Sequence, residues 1–261
     1  MSRSFPRCGS LWLAAFLLTL TAAPASAQVV HNLHFGLGGF FPTGFDGRHD
    51  DDVLLRNAAG EPFVFDPDRS DALVFDMKDF RSVHLFGEWN MALSNQFEVG
   101  AGLGFSRKSV PTVYLDVVEV VENEPDKDIP QVLRLRVVPI TAHVRFLPFG
   151  TPSTIQPYVG GGLSLLNFGY SEEGDFVDSF TREIFSARYS TSGTTLGGVL
   201  FGGVRIPVNG DIFAVTVELR RQFGVGDLGT DLEDNDDEND FLADKIDLGG
   251  TQFTGGLLIR F

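Results

Sequence analysis

Apolar and polar residues alternate with a period of two along much of the chain. The pattern is clearest where Phe97, Val99, Ala101, Leu103 and Phe105 alternate with Gln96, Glu98, Gly100, Gly102, Gly104 and Ser106. It returns where Phe213, Val215, Val217, Leu219 and Phe223 alternate with Ala214, Thr216, Glu218, Arg220 and Gln222, with Arg221 alone breaking the apolar phase. It returns again where Phe253, Gly255, Leu257, Ile259 and Phe261 alternate with Gln252, Thr254, Gly256, Leu258 and Arg260. A period of two marks a strand with unlike faces. Weaker versions over 33–41, 83–91, 132–146, 157–168 and 194–206 bring the expected strands to eight. Glycines spread through these stretches speak against helix interiors, where each costs about 1 kcal/mol relative to alanine. The fold class expected from this is all-β, with eight strands.

The fourth stretch changes phase. Leu133, Leu135 and Val137 share one parity, whereas Ile140, Ala142, Val144 and Phe146 take the other. A bulge near Val138–Pro139 would reconcile them, because proline cannot donate to a ladder and is placed at such irregularities. The connections alternate in length. Long polar segments occupy 42–78, 107–131, 169–192 and 226–245, and short links occupy 92–95, 147–156 and 207–211. Barrels of the outer membrane have short periplasmic turns and longer external loops, so both chain ends are expected on the periplasmic side. Asn209-Gly210 carries the chemistry of a tight hairpin turn.

Alternation alone does not say which face is inside. A soluble lumen-binding barrel needs apolar residues inside, and Gly87-Glu88-Trp89 matches the short G-x-W element of lipocalins. That element lies well into the chain, however, and the long links gather at one end. A membrane barrel needs an apolar belt outside with aromatic girdles at both interfaces. Phe35, Phe41, Trp89, Phe97, Phe105, Phe213, Phe223, Phe253 and Phe261 fall on outward phases, many near strand ends. The basic start MSRSFPRCGS, the apolar run 11–20 and the small residues Ala25-Ser26-Ala27 are the three parts of a secretory signal. The run is far shorter than the about 20 residues that span a bilayer as a helix. A cleaved segment 1–27 followed by an eight-stranded antiparallel up-and-down transmembrane β-barrel over 28–261, with four long external loops, is the expected fold and domain plan.

On these features the chain resembles the small outer-membrane β-barrel proteins of double-membraned bacteria, the OmpA-like and OmpX-like barrel class, over essentially its whole mature length. Tyr158-Val159-Gly160-Gly161-Gly162 and the ending Gly256-Leu257-Leu258-Ile259-Arg260-Phe261 carry the resemblance together with the signal and the alternating links. It implies that Phe261 is an assembly signal for the barrel-assembly machinery, and that outer-membrane lipids surround the wall. No appended peptidoglycan-binding domain follows, so wall anchoring is not implied.

An eight-stranded barrel is just wide enough for side chains to fill it. The assigned phases point Glu88, Glu98 and Glu218 inward with Arg134, Arg136, Arg145, Arg205, Arg220 and Arg260, which predicts ion-paired tiers. Strand direction sets Glu88, Glu98, Arg145, Arg205 and Arg260 towards the periplasm, Arg134 and Arg136 towards the outside, and Glu218 and Arg220 between. Side chains that plug the lumen are one reading; a narrow gated pore is the other.

Composition narrows the remaining classes. The formal charge is −15, and removal of Arg3 and Arg7, the only charged residues before position 28, takes it to −17. Nucleic-acid binding needs a basic face and is disfavoured. Cys8 is the single cysteine and lies inside the signal, which excludes disulfides and thiol catalysis from the mature chain. The candidate bases for a rim-located enzyme are His31, His34, His49, His84 and His143, but His84 and His143 belong to opposite halves, and no Gly-x-Ser-x-Gly or His-Glu-x-x-His occurs. The acidic tract 231–240 invites a calcium reading but lacks the turn glycine and terminal glutamate of an EF-hand loop. No cofactor or metal is expected, and closure removes sheet edges, so a monomer is expected. The role expected is structural or surface-interacting.

Overall fold

The computed structural model describes residues 30–43, 73, 75, 77–119, 125, 127–177, 183–208, 212–228 and 245–261. The signal segment, Asp50–Asp52, His49, the Asn209-Gly210 turn and the acidic tract 231–240 lie outside the described residues. Among the described residues ten strands follow one another: β1 (His31–Pro42), β2 (Ser82–Ala92), β3 (Phe97–Glu119), β4 (Lys127–Phe146), β5 (Gln156–Val177), β6 (Ile184–Val208), β7 (Phe213–Phe223), β8 (Val225–Asp227), β9 (Lys245–Asp247) and β10 (Gly250–Arg260). Eight of them close a ring in the order β1-β10-β7-β6-β5-β4-β3-β2, while β8 and β9 pair separately. Every neighbour in the ring is antiparallel. Closure satisfies the ladder groups without leaving an edge, the condition for backbone to cross lipid as strands. Among the described residues no helix is long and apolar enough to cross a membrane.

The exposed face settles which way the alternation turns. On β3, Leu103 is 56% exposed while Glu98 is 0% exposed. Val83, Leu163, Leu196, Leu219 and Phe253 are likewise exposed, and all nine aromatic residues of the expected girdles face outward. An apolar outer wall around a polar interior is the inverse of a water-soluble barrel, and it overturns the lipocalin-like reading. Leu103→Arg, in the middle of this wall, is expected to destabilise the folded barrel in lipid vesicles by roughly 2–4 kcal/mol. The shift of the urea midpoint measures it; an unchanged midpoint would mean that Leu103 faces water.

The strands fall into two length classes. β1, β2, β7 and β10 have 11 or 12 residues, close to the 9–11 that cross a bilayer. β3, β4, β5 and β6 have 20 to 25 residues and continue past the belt. Much of the segments expected as loops over 107–131 and 169–192 is therefore strand. β5 and β6 stay paired from Gln156↔Arg205 to Val177↔Ile184, and β3 pairs with β4 up to Glu119↔Lys127 with one register shift between Val113 and Val118.

Beyond the belt the faces exchange character. Val110, Leu133, Leu135, Val137, Leu166, Phe168 and Tyr170 turn inward and form a buried apolar core. Phe80, from the short 3-10 helix Met77–Phe80, and Leu228, Ile246 and Leu248, from the link between β7 and β10, close it. Wall residues here meet water, so the ordinary rule of apolar inside returns.

This exchange corrects the reading of β4. Its odd residues from Gln131 to Arg145 are all buried, and its register with β5 runs unbroken from Gln131↔Gly174 to Phe146↔Val159. No bulge stands at Val138–Pro139. The register with β3 resumes unchanged across Pro139, between Leu103↔Ile140 and Ser106↔Val137, so the missing proline N–H interrupts bonding without shifting the strand.

Candidate functional site

Within the belt the lumen is filled by a charged layer. Glu98 accepts two hydrogen bonds of 2.9 Å from the Arg205 guanidinium, one on each oxygen. It accepts a third from Asn32 Nδ2 at 3.2 Å and a fourth from Arg145 Nη1 at 3.4 Å. Arg145 Nη2 also donates to Glu88 Oε2 at 3.0 Å and lies 3.6 Å from Glu218 Oε2. Arg220 bonds Glu88 and donates through Nε to Glu218 Oε1 at 2.9 Å. Tyr158 donates its hydroxyl to Glu218 Oε2 at 3.0 Å. These three carboxylates and three guanidiniums balance in charge, and all six residues are buried. Burying ions is costly unless each is paired and hydrogen-bonded, and here the pairing is reciprocal.

Aromatic rings complete the layer. The Arg145 guanidinium lies 4.5 Å from the Tyr158 ring centre, and that of Arg220 lies 4.9 Å from the Phe201 ring centre. Cations over such faces gain attraction when water is excluded. Inward glycines make the room. A Cβ on Gly102 would meet Glu88 Cγ at 2.8 Å, and one on Gly256 would meet His34 Nε2 at 2.8 Å. The void lined by His84, Glu88 and Arg220 holds about 10 Å³, the room of a single water.

The expected interior residues divide into three groups. Glu88, Glu98, Glu218, Arg145, Arg205 and Arg220 come together as described. Arg260 stands nearer the short-link end, where its Nε donates to Asn32 Oδ1 at 3.3 Å. Arg134 and Arg136 do not point inward. Arg134 pairs with Glu173 on the outer surface, where its hydrogen bond holds the Glu173 carboxyl below the usual carboxylate range. Arg136, exposed, reaches Asn167 Oδ1 at 3.3 Å. Their inward assignment followed from the supposed bulge; without it, the apolar neighbours Leu133, Leu135 and Val137 take the inside.

Sequence reasoning passed over three members of the layer. His34 Nδ1 lies 3.3 Å from Glu88 Oε2, and its Nε2 lies 2.7 Å from Thr216 Oγ1. Tyr158 and Asn32 are the others. Each sits on the inward phase of its strand, and Gly203 opposite Tyr158 leaves the space its ring occupies, with a hypothetical Cβ 2.6 Å from the hydroxyl. That pairing of a large inward residue with a tiny one was the available signal. His84 bonds Ser106 at 2.8 Å and His143 bonds Asn90 at 2.8 Å, so each imidazole has its own polar partner.

His34, Glu88 and Glu218 offer ligand atoms within 4.8 Å of one another, a geometry that could receive a metal ion. Their oxygens are already engaged by Arg145, Arg220 and Tyr158, however. A divalent cation there would face two guanidiniums at contact distance, so the donor set fits ion pairing and not metal binding.

No family model and no curated protein matches the chain. Among solved structures it is similar to the outer membrane protein OprG from Pseudomonas aeruginosa, with 13% identity and a TM-score of 0.49, covering 89% of this chain and 95% of that one. It is similar also to the N-terminal β-barrel domain of Pseudomonas aeruginosa OprF, at 14% identity and a TM-score of 0.40 over 89% and 97% of the two chains. For Neisserial surface protein A the values are 10% and 0.42 over 89% and 97%. Its own closed ring, apolar outer wall and ion-paired lumen make this chain a small eight-stranded transmembrane β-barrel.

Proposed function

We propose that the protein is an integral barrel of the bacterial outer membrane, and that its sealed wall is a rigid support for external segments with a structural or surface-interaction role. The observation that carries this reading is the double filling of the lumen. The charged layer of Glu88, Glu98, Glu218, Arg145, Arg205 and Arg220 is followed along the axis by the apolar core around Leu133 and Phe168. Orientation follows the link lengths, with the long-link end outside. Phe261 is 66% exposed on the wall, and its backbone exchanges two hydrogen bonds with His31; both features suit a strand end read by the barrel-assembly machinery. The barrel has no free edge through which to pair, which supports a monomer surrounded by outer-membrane lipids.

A second reading, a narrow gated pore, draws support from Arg145, which lies within 4 Å of three carboxylates and so has alternative partners at hand. Planar-bilayer conductance of the refolded protein, run beside Glu218→Ala, separates the two. The sealed-barrel reading expects a silent trace from the wild type. Discrete wild-type openings altered by Glu218→Ala would replace it with the pore.

A further inference from the structure

The long-link edge of the belt carries a collar of arginines. At the long-link end of β2, β3 and β4 the outward apolar run gives way on the same phase to Arg81, Arg107 and Arg136 respectively, and on β7 Arg221 interrupts it before Phe223. This is unexpected in a chain of charge −15. Two of these residues conflict with each other. Arg107 and Arg136 are direct cross-strand partners on one exposed face, an arrangement in which like charges destabilise the pair. Farther from the belt, Arg134 and Arg188 share Glu173. No described carboxylate pairs with Arg81, Arg107 or Arg136. The pattern calls for an anion from outside the described chain.

The collar also borders a concavity. Phe41, Arg81, Val83, Arg107 and Lys108 line an open groove of about 430 Å³, within the size range of small-molecule sites. The Arg81 guanidinium lies 5.7 Å from the Phe41 ring centre, which holds it over the groove floor. Below the cations the wall is apolar, with Val83 62% and Leu85 50% exposed. The groove thus offers forked guanidinium donors, which match phosphate oxygens two at a time, directly above a surface suited to acyl chains. A soluble anion would use only the upper half. A lipid uses both.

We infer that this groove is a binding site for a lipid whose headgroup carries a phosphomonoester, held by Arg81, Arg107 and Lys108, with Arg136 beside Arg107 across the strand pair and the lipid chains against the β1–β3 wall. The inference rests on the outer-membrane reading above, which sets the long-link edge at the outer leaflet. A phosphate at Arg107 also offsets the like charge of Arg136, its direct cross-strand partner.

The test is spin-label spectroscopy on the protein purified from membranes and reconstituted in phosphatidylcholine bilayers. Spin-labelled phosphatidic acid is the probe, and spin-labelled phosphatidylcholine is the reference. Wild-type protein should hold phosphatidic acid in the motionally restricted fraction with roughly tenfold preference, since each surface arginine contributes about a fivefold factor and part of that is screened. Arg81→Gln/Arg107→Gln/Arg136→Gln should bring the two lipids to parity, while Arg134→Gln/Arg188→Gln keeps the preference. Should the triple variant fail to fold, Arg107→Gln alone should lower the preference about threefold. Parity in the wild type, or a preference unchanged in the triple variant, overturns the site. Loss of the preference in millimolar inorganic phosphate overturns the lipid as occupant. Absence of a restricted fraction for either lipid overturns the transmembrane reading itself.

Discussion

Glu98→Ala is expected to destabilise the folded barrel by about 3–5 kcal/mol, the cost of leaving a buried charge without its partner. Arg205 is fully buried, and Glu98 is its carboxylate partner among the described residues, bound through both oxygens at 2.9 Å. Removing that carboxylate also takes one of the three from around Arg145. The lumen then holds one uncompensated positive charge within a closed wall. Glu98→Ala/Arg205→Leu removes the orphan and should recover most of the loss, since buried ion pairs are often replaceable by apolar groups together but not singly. Urea titration in lipid vesicles reads both variants. A single-variant loss below about 1 kcal/mol would mean that water reaches Arg205 and that the layer does not seal the lumen.

Phe168→Ala should cost about 3–5 kcal/mol, but locally. The ring is 1% exposed and packs over Gly193 and Gly226, where added Cβ atoms would lie 2.9 and 2.6 Å from it. These contacts tie β5 to β6 and to the β8–β9 pair. Because the apolar core lies beyond the belt, its loss should open the projecting parts of β3 to β6 while the ladder within the membrane stays closed. Regions with separate packing open separately. Hydrogen exchange resolved by segment measures this. Faster exchange of 166–193 with unchanged exchange of 213–223 is the expected result, and uniform acceleration would show that core and belt unfold as one.

The strands and their order were legible because the period of two survives whatever medium surrounds the sheet. What did not survive was the assignment of sides. Along β4, Leu133, Leu135 and Val137 against Ile140, Ala142 and Val144 look like a phase error, when the chain in fact passes from water to lipid at about Pro139. Sequence alone offers two accounts of such a parity change, a bulge or a change of medium, and proline favoured the wrong one. Arg134 and Arg136 went inside for that reason. The charged layer was legible residue by residue, since Glu88, Glu98, Glu218, Arg145, Arg205 and Arg220 all lie on inward phases. Which of them meet was not. Glu98 and Arg205 are 107 positions apart, and their height in the lumen depends on strand stagger that periodicity does not encode. His34 and Tyr158 were passed over as members of the layer because an imidazole or a phenol on an inward phase is not marked as an ion-pair partner in the way that Glu and Arg are.

The seam between β1 and β10 has a bearing on how the molecule comes to exist. Asn32 and Arg260, partners across it, are 228 positions apart, whereas the other ring contacts join strands consecutive in the meander or separated only by the β8–β9 link. Hairpins can therefore form in order along the chain, each closing a modest loop, but the seam closes the longest loop of all and returns nothing until both strand ends have arrived. Up to that moment β1 and β10 each present a row of unpaired amides and carbonyls, the condition under which strands join the wrong partner. The slow step of maturation is thus expected at the seam, and the time spent open there sets how much protein is lost to aggregation.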